Sequence, residues 1–189
     1  MNELDEYQGT ERLLSSRRIY DGRILNLRVD EIETKGGRRT TREVVEHHSA
    51  VGVLALTGRN SVLLVRQFRY AAGEETLEIC AGLVEKGEDP KNAATREMRE
   101  ELGWFPGVLR EIGRFYASPG FCTELLTLFL AEDLSASSLP QDDDEDVSAV
   151  EVPYEEVPQL LAKGAVRDAK TFAALSWLMA WKGLGACFK

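Results

Sequence analysis

Glu97, Glu100 and Glu101 stand at i, i+3 and i+4, a spacing that sets three carboxylates on one face of a helix. Carboxylate oxygens are hard donors suited to magnesium or manganese. Cations held this way neutralise phosphoryl oxygens, activate a water and stabilise a leaving oxygen, the three needs of pyrophosphate hydrolysis. Taken alone, such a face is more often a solvated stripe, and Arg96 is placed to pair with Glu100 one turn on. The surroundings sharpen the reading. Ala94, Met98 and Leu102 repeat at i, i+4 and i+8, an apolar stripe that docks the helix on a core. Just upstream, the turn at Ala81-Gly82 lets a backbone carbonyl approach a cation, because glycine brings no side chain. Three scattered cysteines and two histidines do not suggest zinc.

These groups need a helix and a strand to hold them. Asp89 is a good N-cap, Pro90 fits the first helical position and Gly103 fits the residue just past the end, so a helix is expected over 90–102. Residues 76–80 read as a short strand feeding directly into Gly82.

Gly82, then five residues, Glu88, then seven residues and Arg96-Glu97-Met98-Arg99-Glu100-Glu101-Leu102-Gly103-Trp104 resemble the Nudix box, Gx5Ex7REUxEExGU, in which U is a bulky aliphatic residue. All the fixed positions match, and Trp104 is larger than the usual aliphatic residue. So many residue types at set spacings are far more specific than a lone glycine motif. The resemblance implies hydrolysis of a nucleoside diphosphate linked to another group. It also implies that Glu97 and Glu101 are the principal metal ligands, that Glu100 is a further one, and that the Ala81 carbonyl completes a site. Arg96 and Glu88 take the place of an ion pair that ties loop to helix.

Three flanking features resemble the ADP-ribose pyrophosphatase branch of that family. Pro119 lies 16 residues after Gly103. Leu77-Glu78-Ile79-Cys80-Ala81-Gly82 resembles LExPAG, with Cys80 for the proline, and Val65-Arg66-Gln67-Phe68-Arg69 resembles VRQxR. Asp168-Ala169-Lys170-Thr171 fits as well, while His48-Ser49 departs from a more usual proline-containing pair. The resemblance spans residues 20–184. It places Arg42 and Arg69 on the substrate, where the guanidinium fork suits phosphate oxygens. Glu78 would touch the base or ribose, Arg23 and Ile24 would flank the adenine, and Phe121 would pack near the terminal ribose. The water-activating base falls in the acidic run 142–146, with Glu145 aligning best; Glu145, Glu100 and Glu101 form the catalytic set. His47 and His48 receive no role.

The implied reaction is Mg2+-dependent cleavage of ADP-ribose to AMP and ribose 5-phosphate, with Mn2+ as a possible replacement ion. Two alternatives stay open: another nucleoside diphosphate sugar such as GDP-mannose, or a module that senses ADP-ribose without cutting it.

The remaining chain fits one domain with a small appendage. It has 189 residues, of which 43% are hydrophobic, enough for a proper core. A net charge of −9 lacks the basic footprint of a general nucleic-acid binder. The odd cysteine count reads as reduced thiols in a cytoplasmic protein. No apolar run approaches the roughly 20 residues of a membrane span, and no signal peptide opens the chain. Residues 1–11 are expected to fray. Residues 12–20, 23–34 and 38–46 alternate around Asp21-Gly22 and Lys35-Gly36-Gly37 and read as a three-stranded antiparallel sheet. Such a sheet needs a partner surface. The family resemblance implies a homodimer whose N-terminal strands help form the partner's base pocket.

Further strands are expected over 51–56, 61–66, 109–116, 125–130 and 147–152, a surface loop over 134–146, and helices over 155–163 and 168–184. The expected architecture is α/β, a Nudix-type α/β/α sandwich with a mixed sheet plus the small N-terminal antiparallel sheet. The division is an N-terminal β region at 1–46, involved in dimerisation, and a catalytic domain at 47–189.

Overall fold

The structure, a computed structural model, describes residues 7–141 and 146–184. Contacts divide the chain into two units, one of residues 1–49 with 116–125, the other of residues 50–115 with 126–189.

In the first unit β1 (Tyr7–Gln8), β2 (Glu11–Asp21), β3 (Leu25–Thr34) and β4 (Arg39–His47) form an antiparallel sheet in that order. Glycines make both long turns. The Gly22 amide donates to the Leu25 carbonyl at 3.2 Å, and Gly37, at φ 75°, donates to the Thr34 carbonyl at 2.8 Å. Residues 121–123 close onto β4 through Val45 N–H to the Phe121 carbonyl (2.7 Å) and Thr123 N–H to the Val45 carbonyl (3.0 Å). The expected three strands are therefore four, since Tyr7–Gln8 pairs with Glu11 and Arg12 where fraying was expected.

The second unit holds β5 (Ala50–Leu56), β6 (Ser61–Arg69), β7 (Glu74–Glu78), β8 (Cys80–Leu83), α1 (Pro90–Glu97), β9 (Trp104–Tyr116), β10 (Leu125–Ala136), β11 (Val147–Pro153), α2 (Val157–Ala162) and α3 (Ala169–Leu184). The sheet order is β11-β6-β5-β10-β9, with β7 also on β6 and β8 also on β5. β10 runs parallel to β5, and β6 antiparallel to β5 and β11, so the sheet is mixed.

Period-two alternation gives this sheet a core on each face. Leu54, Val62, Leu64, Leu128 and Leu130 pack with Ala174, Leu175 and Leu178 of α3. Val51, Val53, Leu63, Val65 and Phe129 pack with Ala93, Ala94 and Met98. Helices on both faces of a mixed sheet make the expected α/β/α sandwich.

Two departures shape the site. The single strand expected over 76–80 is two strands. β5 and β6 pair directly only at Ala55–Leu63 and Leu56–Val62. Beyond that point they part, and β7 pairs with β6 while β8 pairs with β5. The chain changes partner at Ile79, which no sequence period marks. The second departure is that the helix expected to end near Leu102 is α-helical only to Glu97 and finishes as a π-turn over Met98–Leu102. Gly103, at φ 74°, donates its N–H to the Met98 carbonyl and ends it. β10 also runs on to Ala136, into what reads as loop, bending at Asp133 with φ 54°.

Candidate active site

β8 and the helix that follows it bring the box residues together. Asp89 caps α1 by accepting the Lys91 amide at 2.9 Å. Ala94, Met98 and Leu102 are buried, as their spacing requires. This docking turns Glu97 and Glu101 inward, 8% and 5% exposed, against the β8 backbone. Glu101 Oε2 accepts the Ala81 N–H at 3.0 Å. A β-carbon on Gly82 would lie 1.9 Å from Glu97 Oε1, so only glycine leaves room for that carboxylate. A strand residue sends its N–H and C=O to the same edge. The Ala81 carbonyl therefore leaves on the side where Glu101 sits.

Arg96 ties loop to helix. Nε and Nη2 fork onto Glu88 at 3.2 and 3.1 Å, Nη2 also reaches the Leu83 carbonyl at 3.0 Å, and Nη1 reaches Glu97 at 2.6 Å and Glu100 at 3.1 Å. Glu88 in turn accepts the Glu85 amide at 3.0 Å. The Arg96 hydrogen bond holds the Glu88 carboxyl below its usual range. Glu88, Glu97 and Glu100 thus meet at one guanidinium, with Glu101 on the β8 backbone beside Glu97, a local excess of negative charge that favours a cation.

Among the described residues, no three acidic, histidine or cysteine side chains already surround one point as metal ligands, and Glu97 and Glu100 close on Arg96 instead. The donor set still fits a hard divalent ion. Glu97, Glu101 and the Ala81 carbonyl offer oxygen on one side of β8, and Gly82 leaves the space. Cys80 is wholly buried beside them, and burial pushes its thiol well up, with the Glu101 and Glu97 charges pushing further.

Arg69 and Glu78 meet on the paired strands β6 and β7. Arg69 Nε and Nη2 fork onto Glu78 at 2.8 and 2.7 Å. Glu78 is only 1% exposed, and it also takes the Thr76 hydroxyl at 2.6 Å and the Lys170 ammonium. Burial alone would raise its carboxyl, but the Arg69 and Lys170 bonds bring it down to about 2. Glu78, expected at the base or ribose, is thus engaged by Arg69, Thr76 and Lys170. Lys170 is the residue that sequence reasoning passed over here. It stands 92 positions from Glu78, and its signal was its place in the Asp168-Ala169-Lys170-Thr171 segment, which fits the family branch without marking a role for it.

The other expected substrate residues belong to the N-terminal unit. Arg42 is engaged by Glu11, Nε to Oε2 at 3.3 Å with a second, shorter contact from Nη2. Arg23 is exposed in the turn after β2. Ile24 and Phe121 are more than half exposed, and the Phe121 carbonyl is held by Val45. The His47 ring bonds the neighbouring His48 carbonyl at 2.8 Å, and its backbone amide donates to the Thr123 hydroxyl at 3.0 Å. Glu145 lies outside the described residues.

A family model for the NUDIX domain matches residues 46–175, and one for the nucleoside diphosphate sugar hydrolase N-terminal domain matches 11–45. The chain belongs to the NUDIX family. This NUDIX chain is 38% identical to an ADP-ribose pyrophosphatase of Bacillus subtilis (strain 168), over 93% of its own length and 96% of the relative's. It is 34% identical to a GDP-mannose pyrophosphatase of Shigella flexneri, over 74% and 78%. A solved structure described as an ADP compounds hydrolase superposes with a TM-score of 0.85 over 96% of this chain and 99% of that one, at 23% identity, and so agrees in fold.

Proposed function

We infer that the protein hydrolyses the pyrophosphate bond of ADP-ribose, giving AMP and ribose 5-phosphate. The observation that carries this reading is the cluster of Glu97 and Glu101 against the Ala81-Gly82 backbone, in a chain so similar to an ADP-ribose pyrophosphatase over nearly its whole length. A divalent cation, Mg2+ with Mn2+ as its replacement, supplies charge neutralisation at the diphosphate and lowers the pKa of a bound water. The protein's own residues divide the remaining tasks. Glu97 and Glu101 hold that ion with the Ala81 carbonyl, and Glu100 adds a further oxygen. Arg96 and Glu88 keep loop and helix in register. Arg69 binds the diphosphate oxygens, and Arg42 is a second substrate arginine. Arg23, Ile24 and Phe121 border the nucleoside and ribose. Glu145 takes the proton from the attacking water.

The working unit is a homodimer of a cytoplasmic protein, with the exposed Ile19, Tyr20, Ile24 and Leu25 of the N-terminal unit available to a second copy. No described helix is long and apolar enough to cross a membrane.

The GDP-mannose pyrophosphatase relative supports a second reading in which only the sugar nucleotide changes. Rates on ADP-ribose, GDP-mannose and other nucleoside diphosphate sugars with Mg2+ decide between them. The highest kcat/KM is expected on ADP-ribose, and a higher value on GDP-mannose would transfer the assignment. Calorimetric binding of ADP-ribose without turnover would point to a sensing module.

A further inference from the structure

The N-terminal turn of α3 reaches back to the strand switch at Ile79. Asp168 accepts the Thr171 amide at 2.9 Å and its hydroxyl at 2.6 Å. Thr171, fully buried, accepts the Ile79 N–H at 2.8 Å. That N–H lies where the chain leaves β6 for β5, so no ladder bond is ready for it, and a buried unpaired amide is costly. One residue earlier, Lys170 Nζ bonds Glu78 Oε2 and pairs with Asp168 at 3.0 Å.

Glu78 therefore stands between two cations. Arg69 gives it Nε and Nη2, and Lys170 shares Oε2 with Arg69 Nη2. Among the described residues, Arg69 Nη1 keeps no protein partner, and its side chain is 44% exposed. A fork fixed at two nitrogens leaves its third nitrogen free to bond an anion. Without Lys170, the buried carboxylate would keep Arg69 as its one close cation, with only the Thr76 hydroxyl beside it, and would pull the guanidinium inward.

We propose that Lys170, acting through Glu78, is a positioning residue that holds Arg69 ready for a diphosphate. This rests on the ADP-ribose reading only in taking Arg69 as a diphosphate contact. Its test therefore uses ADP, which carries the diphosphate whether or not a sugar nucleotide is cleaved.

The experiment is calorimetric titration of ADP with Mg2+ into wild type, Lys170→Met, Lys170→Arg, Arg69→Ala and the Arg69→Ala/Lys170→Met double variant. Methionine keeps much of the packing of the lysine stem. We expect Kd to rise about tenfold in Lys170→Met and to return to within about threefold of wild type in Lys170→Arg. The double variant should bind no more weakly than Arg69→Ala, because contacting groups in one network are not additive. If thermal melts show Lys170→Met unfolded at assay temperature, Glu78→Gln opens the same clamp from its other side, and the same tenfold loss is expected. Additive losses, an unchanged Kd in the folded variants, or no ADP binding by wild type would overturn the proposal. ADP-ribose left uncut while these Kd values follow the pattern would instead fault the substrate reading and leave the positioning role standing.

Discussion

A β-carbon at position 82 would lie 1.9 Å from a Glu97 oxygen, so Gly82→Ala must push that carboxylate off the backbone. The clash is with the end of a side chain, and the fold should survive it. The expected outcome is a melting temperature within a few degrees of wild type and a 10- to 100-fold loss of metal affinity, roughly the cost of disturbing a ligand's support, read by Mn2+ titration. Unchanged affinity would detach Glu97 from the cation.

Glu78 gives a pH prediction. Its carboxyl is lowered from 4.5 to about 2 in the folded protein. The folded state therefore binds that proton less readily than the unfolded chain does, and the stabilisation is complete above pH 4.5 and drains away as pH falls toward 2. Urea midpoints across that window should converge for wild type and Glu78→Gln. A gap that stays constant with pH would contradict the assignment. The box itself was legible in the residues because its chemistry is local in sequence. The Glu78–Lys170 contact was not, because it joins groups 92 positions apart and no spacing rule reaches that far.

Among the elements, the helix of the box shows where one-dimensional reading stops. Asp89, Pro90 and Gly103 marked both ends, and the structure keeps those ends. The π-turn between them left no mark. Turns of this kind are rare and often sit at functional sites, and this one inserts an extra residue just where Glu100 and Glu101 leave the helix. Arithmetic at 3.6 residues per turn could not place those carboxylates correctly. The break between β7 and β8 was equally hidden, since it is set by β5 and β6 parting rather than by a turn residue. At that break Thr171 satisfies the Ile79 amide. Thr171→Val preserves the shape and leaves the amide unpaired, so chemical denaturation should show a loss of about 1–3 kcal/mol. A neutral result would mean that the strand switch needs no such bond.

At the scale of the whole molecule, the alternating strands and the two-sided core were readable, because residue periods report directly which face is buried. Association rests on two expectations, the need of a small sheet for a partner surface and the family resemblance. The N-terminal unit exposes Tyr20, Ile24 and Phe121, each more than half accessible, and an exposed apolar set of this kind suits a partner surface. Sedimentation equilibrium should give twice the chain mass of 21.1 kDa, and Ile24→Asp should shift the population toward monomer. A single-chain mass at micromolar concentration would remove the dimer from the account.

The central claim is that Glu97 and Glu101, set against the β8 backbone, hold a divalent ion for cleavage of a pyrophosphate. Its most direct test is the rate of ADP-ribose hydrolysis as a function of Mg2+ for wild type and Glu97→Gln. Wild type should be silent after chelation and recover with added Mg2+, while Glu97→Gln should be slower by about 100-fold or more at saturating substrate and need more of the ion. Equal rates in the two proteins, or wild-type hydrolysis that persists after chelation, would contradict it.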